Sequence, residues 1–100
     1  MSEIGHYTVD DGNTNHSTAT YNCSNWADGV YLVAVNRYQN QTTAYGTALY
    51  LMTVNDNILP LFTTVVETAD CKSTFALSND KVLSITYPHS AYWQVFAKRI

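Results

Sequence analysis

Apolar and polar residues alternate with a period of two over most of this chain, the pattern of strands that bury one face. The alternation predicts strands over residues 5–9, 17–23, 30–38, 44–54, 58–67, 74–77, 82–87 and 91–98. Turn-forming residues separate them: Asp10-Asp11-Gly12, the 25–29 segment, Gln39-Asn40-Gln41-Thr42, Asn55-Asp56-Asn57, the 69–73 loop, Ser78-Asn79-Asp80 and Pro88-His89-Ser90. The 30–38 segment (VYLVAVNRY) is apolar on both faces over its first half, which predicts a central strand covered on both sides. Pro60 cannot donate to a ladder, so the 58–67 strand is expected to begin at a sheet edge or contain a bulge.

Parity registers the last two strands. Leu83, Ile85 and Tyr87 form one apolar set, and Ala91, Trp93, Val95 and Ala97 form the other. A hairpin that keeps both sets on one face places Tyr87 opposite Ala91 and Ile85 opposite Trp93, with Pro88-His89-Ser90 as its loop. A slip of one residue would send Trp93 to the other face. Seven to eight short strands in 100 residues predict an all-β domain. The favoured architecture is a small antiparallel β-sandwich, with a closed β-barrel as the alternative.

Composition sharpens the picture. Charged residues make up only 13% of the chain, against about 25% in an average protein. Thr (13), Asn (9) and Tyr (8) supply the polarity instead. Such a hydroxyl- and amide-rich exterior is more typical of an extracytoplasmic protein, secreted or periplasmic. Met1-Ser2-Glu3-Ile4 is not a signal peptide, so an exported chain would have lost its leader, and a native Met1 would place the protein in the cytoplasm. The net charge of −3, with no Lys or Arg before Arg37, argues against a nucleic-acid partner. No apolar run reaches the length of a membrane-spanning helix.

Cys23 and Cys71 lie 48 positions apart, one at a strand end and one in a loop. In an oxidising compartment they are expected to form a disulfide, worth roughly 4 kcal/mol on the chain-entropy estimate. The sequons at Asn15, Asn22 and Asn40 barely exceed chance in so Asn- and Thr-rich a chain.

Candidate chemistry is sparse. His6, Asp10, Asp11 and His16 match no familiar metal spacing, and Asp10-Asp11-Gly12 is already accounted for as a turn. Lys72 would favour a Cys71 thiolate, yet no base is placed beside it. There is no G-x-S-x-G motif, no phosphate loop and no recognisable carboxylate pair. The reading is of a non-enzymatic protein without metal or cofactor.

Aromatic residues give the better lead, because Tyr and Trp combine contact area with a polar handle. Trp26 stands in a polar segment with Asn25 and Asp28, and Tyr92 follows His89 on the outer face of the last strands. The leading expectation is an inhibitor or immunity-type protein that binds and blocks a larger, basic-surfaced enzyme. Trp26 or the His89 loop would enter its cleft, and Asp10, Asp11 and Asp28 would form an acidic rim. The alternatives are a carbohydrate-binding module using Trp26, Asn25 and Asp28, and a structural surface or coat protein. A core role for Trp26, closing one end of the fold, competes with both binding roles.

Overall fold

A computed structural model describes residues 6–55 and 61–100, with side chains from Gly12 onward. Six strands follow in chain order: β1 (His6–Asn22), β2 (Gly29–Asn40), β3 (Thr43–Val54), β4 (Phe62–Glu67), β5 (Thr74–Leu77) and β6 (Val82–Arg99). A short 3₁₀ turn, Ala69–Cys71, joins β4 to β5. All six strands belong to one antiparallel sheet in the order β1-β6-β2-β3-β4, with β5 beside the first half of β6. Among the described residues the hydrogen bonds thus form one antiparallel sheet that is not closed into a barrel. Among the described residues no helix is long and apolar enough to cross a membrane.

Eight expected strands become six because two expected turns are bulges inside longer strands. Residues 87–90 do not turn the chain back but bow out of a continuous β6. Parity explains this, since Leu83, Ile85 and Tyr87 are in phase with Ala91, Trp93, Val95 and Ala97. A strand running straight through therefore keeps every member of both sets inward. The missing N–H of Pro88 breaks no ladder there, because β6 changes partner at the bow. Up to Thr86 its neighbour is β5, and from Tyr92 it is β2. The expected Tyr87–Ala91 and Ile85–Trp93 pairs accordingly do not form. Ile85 lies between Ala19 and Phe75, and Trp93 lies opposite Arg37.

Asp10-Asp11-Gly12 likewise sits within β1. The register against β6 slips between Asp11 and Asn15, so Gly12, Asn13 and Thr14 together face Trp93. Gly12 has a φ of 86°, which lets the backbone make this bulge at little cost. The tight turn between β2 and β3 follows its sequence chemistry: Asn40 Oδ1 accepts hydrogen bonds from Thr42 N at 2.9 Å and Thr42 Oγ1 at 3.0 Å. Pro60 lies outside the described residues.

Curling of the sheet encloses a single core. On β2, Tyr31, Val33, Val35 and Arg37 point inward and are buried; on β3, Ala48, Tyr50, Met52 and Val54 do the same. The outer face of β2 is only half-covered, and Val30 is exposed, so this strand is central in the sheet but buried on one face. The far edge, β4, curls back toward β5, and side chains close the seam. Phe62 and Phe75 rings lie 3.9 Å apart. Glu67 Oε2 accepts from the Ser73 amide at 3.0 Å and from the Tyr50 hydroxyl at 2.9 Å.

Candidate functional site

Along one row of the outer face, β2 and β6 place Tyr38 directly opposite Tyr92. The β1 bulge brings Gly12 and Asn13 to one side of this pair, and the β2–β3 turn brings Asn40 and Gln41 to the other. These six residues line an open groove of about 500 Å³. Among the described side chains its walls are two phenol rings, three amides and backbone, with no carboxylate or cation. Cross-strand neighbours on one face lie close enough for their rings to form a continuous platform. Since Asn40 Oδ1 is engaged by Thr42, its amide NH₂ is the group left to address a ligand.

Behind the groove, on the inner face, the adjacent register pair is Arg37 opposite Trp93. Arg37 is fully buried, the sole charged side chain so placed among the described residues. Its guanidinium carbon lies 4.2 Å from the ring centroids of both Tyr87 and Trp93. Each such contact is worth about 2 kcal/mol once desolvated, which offsets part of the several kcal/mol that burying a cation costs. Nη1 donates to the Cys71 carbonyl at 3.1 Å and contacts Cys71 Sγ at 3.2 Å. Burial pushes the Cys71 thiol up, against the pull of Arg37.

Gly46, opposite Arg37 across β3, makes this packing possible. Its φ is 144°, and a Cβ there would overlap Thr68 Oγ1 while reaching only ordinary contact with Cys71. Nearby, Tyr87 donates to the Asp70 carbonyl, and Tyr45 stacks on His89 at 5.5 Å and 9°. Burial raises the Tyr50 hydroxyl to about 12, with Ser73 opposing and Glu67 reinforcing the shift.

The structure scatters the residues singled out from the sequence. Trp26 is 8% exposed and packs on Tyr31 with ring centroids 5.0 Å apart. Its segment is held by the Tyr31 hydroxyl, which donates to the Ala27 carbonyl at 2.6 Å. Trp26 therefore caps one end of the core, and its ring is not presented to a partner as the binding readings required. Asn25 and Asp28 are exposed beside it; Asp28 pairs with Lys81 at 3.8 Å. That cluster lies some ten β2 residues from Tyr38, about 30 Å along the strand.

Tyr92 is the one named aromatic in the groove. His89 is exposed on the β6 bow. Asp10 and Asp11 lie in β1 opposite Val95 and Gln94, and their side chains fall outside the described set, as does His6's. Cys23 and Cys71 are both buried free thiols, so no disulfide is present. Cys23 is sequestered beside β6, where its amide donates to the Lys81 carbonyl at 2.8 Å, whereas Cys71 is committed to Arg37.

Asn13, Tyr38, Asn40 and Gln41 escaped the sequence reading as a group because only the β1 bulge and the β2–β3 turn bring them together. Arg37 left a clearer trace, as the fourth member of the inward-facing series Tyr31, Val33, Val35. Compared with known proteins, the chain matches no family model, no curated protein and no solved structure.

Proposed function

We propose that this chain is a non-enzymatic binding protein whose recognition surface is the Tyr38–Tyr92 groove and whose ligand is a neutral carbohydrate. One observation carries the reading: among the described side chains the groove combines two tyrosines with three amides and no charged group. The apolar face of a sugar ring stacks on phenol rings, and its hydroxyls need partners that both donate and accept, as amides do. A charged ligand would meet no counter-charge among the described lining residues. A volume of about 500 Å³ suits one or two sugar rings.

A glycan array with the full chain, followed by calorimetric titration of any hit, tests this reading. Tyr92→Ala is expected to weaken binding roughly five- to twelvefold, since stacking on an aromatic ring is worth about 1–1.5 kcal/mol. An array without a hit removes the proposal.

A second reading, a protein that binds and blocks a larger enzyme, is favoured by a different surface. At the sheet edge, Leu61, Val65 and Val66 are 64%, 54% and 52% exposed on or just before β4. An apolar edge strand offers unpaired backbone groups to an incoming strand. Val65→Lys should abolish capture of such a partner and leave glycan binding intact. Capture that survives Val65→Lys would remove this second reading.

A further inference from the structure

The buried guanidinium of Arg37 is only half used. Its Nη1 corner is occupied by the Cys71 carbonyl and sulfur. The opposite edge, formed by Nε and Nη2, is buried and has no hydrogen-bond partner. These two nitrogens hold the parallel N–H pair with which arginine grips an oxyanion side-on. Trp93 Nε1, in the ring stacked against the same guanidinium, is also a buried donor without a partner. Arg37 forms no ion pair with a described acidic side chain.

The cluster therefore offers three donors without a partner and a buried positive charge that aromatic faces offset only in part and that no described carboxylate contacts. The Tyr87 and Trp93 rings stand at 87° to one another, so the planar guanidinium lies face-on to at most one of them, and neither supplies an oxygen or nitrogen acceptor to Nε or Nη2. A trapped water would answer donors but not charge. A monovalent anion answers both.

From this we infer that the interior binds a small planar monovalent oxyanion, of formate or nitrate size, on the Nε/Nη2 edge of Arg37. The site is separate from the groove, on the opposite face of the sheet. Because Arg37 is sealed from solvent, the anion enters as the sheet closes or breathes, and its binding shows as anion-dependent stability.

The test is thermal unfolding of the full chain at pH 7 with sodium formate or nitrate replacing bulky gluconate at constant ionic strength. The midpoint is expected to rise with formate or nitrate, by several degrees between 1 and 100 mM on the order of a 100-fold rise in ligand. Arg37→Met should lose that dependence. Should the variant not fold, the wild type alone decides through its two indole N–H resonances. In a formate titration the Trp93 signal should shift saturably, with Trp26 as the internal control that stays. Equal midpoints in all anions, an unchanged dependence in Arg37→Met, or a Trp93 resonance that formate does not move would each overturn the inference.

Discussion

Burial keeps Tyr50 and Cys23 neutral well into the alkaline range, and this makes the fold sensitive to alkali. Burial raises the Cys23 thiol to about 11 and the Tyr50 hydroxyl to about 12. In the unfolded chain both ionise nearer their ordinary values, so above about pH 9 the unfolded state binds fewer protons than the native one. Stability should therefore be flat below that pH and fall progressively between pH 9 and 12. Urea titrations across this range check it, and Tyr50→Phe and Cys23→Ala should each lessen the fall, with the Cys71 thiol, also raised by burial, keeping part of its early portion. The same burial predicts the thiol chemistry. Neither cysteine should react with a thiol reagent in the native protein, both should react in denaturant, and reductant should leave the mass unchanged. A mass gain of two hydrogens on reduction would restore the bridge that the spacing of Cys23 and Cys71 suggested.

Single residues set the course of whole elements. Gly46 lets β3 run beneath the 3₁₀ turn that delivers Cys71 to Arg37. Gly46→Ala forces a Cβ into Thr68 at an unfavourable φ, and a loss of about 2–4 kcal/mol is expected from the shift in denaturation midpoint. Strand identity and inward faces were legible in the sequence, since period-two patterning survives any curvature of the sheet. The fate of the breakers was not. Asp10-Asp11-Gly12 and Pro88-His89-Ser90 carry the residues of a turn, yet each is a bulge because the flanking apolar sets stay in phase across it and a partner strand lies alongside. Pairing between β1 and β6 is decided at a separation of some seventy residues, which no local pattern encodes. Trp26 misled for a related reason: its neighbours are polar, but the Tyr31 ring that buries it belongs to the next strand.

For the whole molecule, one curled sheet separates two kinds of chemistry. Its concave side is an aromatic core around Arg37, and its convex side carries the neutral Tyr38–Tyr92 groove at the adjacent register pair. That groove was partly legible, through Tyr92 and the general wealth of Tyr and Asn. Its assembly from β1, β2, β6 and the β2–β3 turn was not, because it depends on the Gly12 bulge. The carbohydrate reading and the anion inference are independent, and the failure of one leaves the other standing. The account turns on the groove, and backbone amide chemical-shift mapping during titration with the best glycan from the array tests it most directly. Saturable shifts centred on Gly12, Asn13, Tyr38, Asn40, Gln41 and Tyr92 are predicted. Shifts centred instead on Asn25, Trp26 and Asp28, or on Leu61 and Val65, would contradict it.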